Sequence, residues 1–408
     1  MEQNPDREFL LALLRSETIP ALTPEQWQTV YHLARQHGVE TLLYRQLKKL
    51  GLLAQLPAIL HQELREAYLR TADRNMRLYR ELSMVAKPLN QENIPFILLK
   101  GAYLAEHVYG NMAVRPMGDV DILFRKSDLA RVETVLLGMN YLHKDQLTET
   151  IKETHHFVYQ HADHELMLEV HWDLVDDLFE IHTDIQALWE RATPISIAGI
   201  QMYEMMPEDQ ILHLCIHTAV HYFQIGLRAM CDLAETLRYH QTKLNWECLR
   251  QRAHQWGANR CVYVNLVLVK ELLNAPVPAD WLESLKPKNI QVDYLDLARE
   301  QIFNNVEAGD KALVGSPHVV EFWWNKGLIG KAQLFLRRIF LTRQEMARRY
   351  PAPADSWRIL LYYPVRLKDL LQTHGQVALR LAQGDAEMQS RASRQNEINT
   401  LRNWLLME

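Results

Sequence analysis

The chain has 408 residues, 48% hydrophobic and 23% charged, with a formal net charge of -5. That composition reads as a soluble globular protein long enough for two or three domains, and it excludes a globally basic nucleic-acid binder. No apolar run approaches a membrane span, the acidic start MEQNPDREFL has no secretory-signal pattern, and Cys215, Cys231, Cys248 and Cys261 form no CxxC pair, so a cytoplasmic protein with reduced thiols is expected.

Gly and Pro are sparse, which predicts a helix-dominated chain. Residues 1–92 read as an N-terminal helical region. Thr23 caps and Pro24 opens a helix in TPEQWQTVYHLARQHGVETLLYRQL. A later helix carries Leu78, Leu82, Val85 and Leu89 on one side, and Pro88 is expected to kink or end it. At residue 94 the texture changes. IPFILLK reads as a strand, AYLAEHVYG as a short helix and GDVDILF as a second strand. KSDLARVETVLLGMN reads as a helix capped by Ser127 or Asp128, with Leu129, Val132 and Leu136 facing inward. HHFVYQ and HELMLEVHW read as further strands around HADH. Residues 93–200 are therefore assigned to a small mixed α/β unit. From Pro207 helical periodicity returns, so residues 201–408 are assigned to a C-terminal helical domain, with RRYPAPADSW as its clearest loop.

GDVDILF holds the first chemical signal. Side chains alternate along a strand, so Asp119, Asp121 and Leu123 share one face and Val120, Ile122 and Phe124 the other, apolar one. Two carboxylates that close repel and raise each other's pKa unless a cation lies between them, and hard oxygen ligands suit Mg2+. The plain alternative is a strand end whose aspartates point into water. Two neighbours weigh against it. LLKG, Leu98 to Gly101, runs a strand into glycine and a helix start, a suitable phosphate cradle to which Lys100 adds positive charge. In HELMLEVHW, Leu166, Leu168, Val170 and Trp172 take one face, leaving Met167, Glu169 and His171 on the other. If that strand lies beside GDVDILF, three carboxylates converge to hold one or two metals for in-line displacement. Glu169 is also a candidate base toward an acceptor hydroxyl; otherwise it is an edge-strand glutamate in water.

LLKGAYLAEHVYGNMAVRPMGDVDILF followed by MLEVHWDL resembles the uncharacterised nucleotidyltransferase family of the DNA-polymerase-β-like superfamily. The resemblance is strong over the α/β unit and looser over the helices on either side. It implies an α+β, helix-dominated protein: a small mixed-sheet polymerase-β-like nucleotidyltransferase unit flanked by N- and C-terminal helical regions. By that resemblance Asp119 and Asp121 match the paired metal-binding aspartates and Glu169 the third carboxylate, with Mg2+ or Mn2+ as cofactor and an NTP such as ATP as substrate. Lys100 and Gly101 stand where the superfamily has a Gly-Ser loop for the triphosphate. Here Ala102 follows Gly101 in place of the serine, and the spacing from Gly101 to Asp119 is wider than in minimal members. Gly118 and His171 join them as candidate nucleotide contacts. Arg115 is a candidate to reach a phosphate across RPMG, its alternative being a solvated loop arginine. Relatives of this kind are associated with extracellular-polysaccharide gene sets, which favours a sugar or lipid-linked acceptor.

PEDQILHLCIHTAVHYFQIGLRAMCDLAETL repeats His213, His217 and His221 every four residues, and Arg228 and Asp232 roughly continue the stripe if the helix survives Gly226. Zinc is disfavoured because Leu214 stands where H-E-x-x-H needs glutamate. The better functional reading has this helix packing over the α/β unit, with His217, Arg228 and Asp232 facing nucleotide or acceptor. The alternative is an Arg228–Asp232 ion pair beside satisfied histidines. His155, His156, His161 and His164 flank the predicted hairpin and read as surface residues with room for one to line the cleft; adjacent strand residues face oppositely, so His155 and His156 are not expected to share a metal. Arg337, Arg338, Arg343, Arg348, Arg349, Arg358 and Arg366 lie on basic amphipathic helices. They read as solvated faces, the alternative being a patch for an anionic acceptor or for peripheral contact with a membrane surface. Trp323 and Trp324 are assigned to the helical core. The expected activity is transfer of NMP from an NTP to an acceptor (a sugar, small molecule or protein) with pyrophosphate release, with no stable nucleic-acid partner. A kinase-like phosphotransferase and a catalytically silent nucleotide-binding scaffold are the rivals.

Overall fold

The structure, a computed structural model, describes residues 5–143, 155–161, 163, 167–176, 179–288, 290, 292–303, 340–343, 346, 347, 350–353, 355–370 and 385–406. His164, Trp323, Trp324, Arg337, Arg338, Arg348 and Arg349 lie outside them. The chain forms two compact units, the first Met1–Gln146, Thr150–Asn305 and Trp404–Glu408, the second Leu147–Glu149 and Val306–Asn403.

The first unit begins with helices α1 (Pro5–Leu14), α2 (Pro24–Gln36), α3 (Glu40–Leu50) and α4 (Ala58–Gln91). Thr23 closes a capping box with Gln26 at the start of α2, and Pro24 sits at the first position, where its missing N–H costs nothing. Leu78, Leu82, Val85 and Leu89 of α4 are all buried. The helix runs one turn past Pro88 to Gln91, because the fully buried Leu89 holds that turn in place despite the lost backbone donor.

A seven-stranded mixed sheet follows. In chain order it comprises β1 (Phe96–Leu98), α5 (Lys100–Tyr103) with a π turn at Leu104–Val108, β2 (Val120–Phe124), α6 (Leu129–Gly138), β3 (Tyr141–His143), β4 (His156–His161), β5 (Met167–His171), α7 (Ile185–Arg191), β6 (Thr193–Ile197) and β7 (Ile200–Glu204). The spatial order is β3-β4-β5-β2-β1-β7-β6. β2 is central, antiparallel to β1 and parallel to β5. All five of its residues are buried, so its second face is covered as well as the expected one. Asp128, one of the two expected caps, holds the N-cap position of α6, but its side chain makes no capping hydrogen bond there, because a short 3-10 turn at Lys126–Asp128 leads into the helix. Val132 and Leu136 are buried there and Leu129 is half-buried. β6 and β7 form a hairpin whose two-residue turn, Ala198-Gly199, has positive φ at both positions, the twist that a tight hairpin requires.

Helices α8 (Pro207–Val220), α9 (Leu227–Tyr239), α10 (Trp246–Gln255), α11 (Asn259–Leu273), α12 (Ala279–Ser284) and α13 (Val292–Phe303) complete this unit. The chain is helix-dominated, as expected. In the second unit Met346, Ala352 and Ile359 form a small core packed by Tyr350, Tyr362 and Tyr363. Arg343 and Arg358 are exposed there, but Arg366 is buried rather than solvated. Among the described residues no helix is long and apolar enough to cross a membrane.

Candidate active site

The parallel pairing of β2 with β5 sets Asp121 opposite Glu169 and Leu123 opposite His171. In-register residues of adjacent strands project on the same side, so Asp121, Glu169 and His171 meet, with one donor atom of each within 4.8 Å of the others. His171 Nε2 donates to Asp121 Oδ1 at 3.1 Å and lies 3.3 Å from Glu169 Oε2. Lys100 Nζ reaches Asp121 Oδ1 at 2.6 Å. Lys100 has φ of 42° where β1 gives way to α5, a conformation that costs a non-glycine residue about 1–3 kcal/mol and that gathers at functional sites.

Electrostatics follow from this crowding. Burial pushes the Asp121 carboxyl up, but the Lys100 ammonium and the His171 hydrogen bond outweigh it and hold it well below the usual carboxylate range. Asp119, one residue before β2 and half-buried, is raised by burial and by the charges of Asp121 and Glu169. His171 is 3% exposed; burial works against its protonation, and its bonds to Asp121 and Glu169 override that and raise its pKa.

A cleft of about 460 Å³ opens here, lined by Lys100, Gly101, Arg115, Gly118, Asp119, Asp121, Glu169 and His171 from the sheet side. His217, His221, Arg228 and Asp232 line it from α8, α9 and the turn between them. Every candidate residue read from the sequence thus borders one cavity. Arg115 is neither a solvated loop residue nor free: its Nε and Nη2 grip the Asp232 carboxylate at 2.8–3.3 Å, and its Nη1 bonds Pro116 O. Tyr109 Oη also donates to Asp232. The expected alternative of an Arg228–Asp232 pair is therefore replaced by Arg115–Asp232. Arg228 keeps a buried Nε with no hydrogen-bond partner, and burial followed by the charge of Arg115 lowers its pKa. Gly101 is required by close approach, since a Cβ there would collide with Arg115 Nη1. Gly118 is under no such constraint, with nothing near a Cβ. His213 is buried, its pKa pushed down to about 3 by burial and then by Lys100.

The donor set fits a divalent cation. Two carboxylates of adjacent strands and a third beside them create a negative focus that this structure balances with the Lys100 ammonium, so positive charge is wanted at that point. The closest donor group holds His171, while Asp119 lies outside it.

Three contributions escaped the sequence. His155 and His156 do come together, with ring centroids 4.7 Å apart and both near His171. The alternation rule does not apply because His155 precedes the first residue of β4. Asp176 binds His155 Nδ1 at 2.6 Å, and no periodic signal marks it. Asn75, fully buried on α4, donates to Met112 O and Arg115 O and so braces the RPMG loop. Its signal was available: an amide on the apolar stripe that continues through Leu78 and Leu82.

Paired carboxylates at the centre of a mixed sheet thus face a cleft walled by Lys100, Arg115 and Arg228. The chain belongs to the family described as "uncharacterised nucleotidyltransferase", which matches residues 23–274. Solved structures with partial likeness include the antibiotic-resistance factor ANT(2'')-Ia in solution, 13% identical, TM-score 0.31, covering 45% of this chain and 92% of that one. The crystal structure of ANT(2'')-Ia with adenylyl-2''-tobramycin matches at 13% identity and TM-score 0.31, over 45% of this chain and 97% of that one. JHP933 from Helicobacter pylori matches at 16% identity and TM-score 0.26, over 59% and 96%. No curated protein matches the chain. The assignment rests on the family match.

Proposed function

We propose that the chain transfers a nucleoside monophosphate from an NTP to an acceptor hydroxyl and releases pyrophosphate. The observation that carries this reading is the register of β2 on β5, which puts Asp121 beside Glu169 with Asp119 at the strand's entrance. Asp119, Asp121 and Glu169 would hold Mg2+ or Mn2+, which when bound supplies charge neutralisation for the attacking and leaving oxygens. Lys100 balances Asp121 and stands ready to turn to phosphate. Arg228 brings a cation with an unspent donor to the cleft. Arg115, held by Asp232, lends fixed positive charge without moving. Glu169, the most exposed of the β2–β5 donors at 21%, is the group placed to take the acceptor's proton. Positioning and electrostatics, not a covalent intermediate, supply the rate.

Purified protein with labelled NTPs, Mg2+ and a panel of sugar, small-molecule and protein acceptors tests this. Pyrophosphate release is expected, and Asp121→Asn is expected to cut turnover by about 10²–10³-fold or more. Release of a nucleoside diphosphate would make the enzyme a phosphotransferase. Undiminished turnover in Asp121→Asn would sink the site assignment.

A further inference from the structure

We propose that His155, His156 and His171 form a second cation site in the wall of the same cleft, a nitrogen-donor site for a divalent transition metal of the zinc class. One ring nitrogen from each of the three lies within 4.8 Å of the others. Imidazole suits zinc, cobalt, nickel and copper, whereas Mg2+ prefers oxygen and sheds water reluctantly, so this set differs in kind from the carboxylates.

The hydrogen bonds around the rings carry the argument. A metal-binding histidine almost always donates its other ring N–H to a carboxylate or carbonyl, which fixes the tautomer and frees the opposite lone pair. His155 Nδ1 is bound to Asp176 Oδ1 at 2.6 Å, leaving Nε2. His171 Nε2 is bound to Asp121 and Glu169, leaving Nδ1, and that Nδ1 is buried with no hydrogen-bond partner. His156 Nδ1 is likewise buried and unpartnered. An orphaned buried nitrogen costs about 1–3 kcal/mol; two of them, on rings whose centroids lie 4.8 Å apart, are explained together by one ligand. All three histidines line the open cleft. Three protein ligands with a position left for solvent is the pattern of a reactive rather than a structural zinc site.

The proposal does not depend on nucleotidyl transfer, because its readout is metal binding. Full-length protein stripped with a chelator is titrated with Co2+, whose visible d–d absorption reports low-coordinate imidazole ligation. A band that Zn2+ abolishes and excess Mg2+ leaves intact is expected. His156→Ala is expected to remove it. Asp176→Asn, which keeps all three imidazoles, is expected to weaken binding by about 10–100-fold. Circular dichroism of each variant reports folding. A band that persists in folded His156→Ala, or one removed by Mg2+, overturns the proposal and places the ion among the carboxylates. Where His156→Ala does not fold, unchanged Co2+ affinity in Asp176→Asn overturns it.

Discussion

Arg115 and Arg228 carry the same charge in the same cleft and behave differently because of what surrounds each. Arg115 is bidentate to the buried Asp232, with side chains 13% and 6% exposed. Deleting one partner of such a pair strands the other, so Arg115→Ala is expected to cost about 3–5 kcal/mol in urea unfolding. Arg228, whose buried Nε has no hydrogen-bond partner, strands no such charge. Arg228→Ala is therefore expected to leave stability nearly unchanged while raising the KM for NTP about 10–100-fold, the value of a charge-assisted hydrogen bond to phosphate. Equal effects of the two substitutions on stability would contradict the distinction. The sequence singled out both arginines and Asp232, yet paired Asp232 with the wrong one. An i,i+4 helical rule sees Arg228; only folding brings Arg115, 117 residues away in the chain, to the same carboxylate.

Among elements, the turn joining α8 to α9 controls where the far wall of the cleft stands. Tyr222 and Phe223 have positive φ, and Gly226 at the entrance to α9 has φ 76° and ψ -155°, a region open essentially only to glycine. Gly226→Ala is expected to destabilise by about 1–3 kcal/mol and, by displacing α9, to weaken nucleotide binding too. A melting temperature unaltered by this change would show that the turn relaxes freely. The His213–Asp232 stripe is one helical face only if the helix survives Gly226, and the glycine is instead the N-cap of a new helix, after the turn that ends α8. The strand pattern was legible where alternation met a polar exception, as in VDILF and MLEVH. The β6–β7 hairpin was equally readable in ISIAGIQM, whose buried Ile197, Ile200 and Met202 surround a two-residue turn, but no chemistry drew attention to it.

For the whole molecule, buried neutral histidines set the acid limit. His37 and His240 are 2% and 4% exposed. Burial, followed by the nearby Arg7 charge for His37 and Lys243 for His240, pushes each pKa down to about 4. His240 Nε2 joins Gln210, which in turn bonds Tyr103 Oη and Met205 O. The unfolded chain takes up a proton on each ring near pH 6.5 and the folded chain only near pH 4, so stability is full above about pH 6.5 and falls as pH drops toward 4. The loss is expected to be on the order of 3 kcal/mol per histidine. His240→Gln is expected to flatten part of that slope in urea unfolding across this range; an unchanged slope would assign the acid sensitivity elsewhere.

What the amino-acid sequence determined by itself was local and periodic. Alternation embedded Asp121 and Glu169 each on a strand opposite an apolar face and separated helical from β-rich stretches, since these follow from the geometry of a single element, although it counted Asp119 into a strand that begins only at Val120. Tertiary structure decided what sits next to what. The register that sets Asp121 against Glu169, the capture of Asp232 by Arg115, and the meeting of His155, His156 and Asp176 all depend on packing between distant segments, which no spacing along one chain encodes.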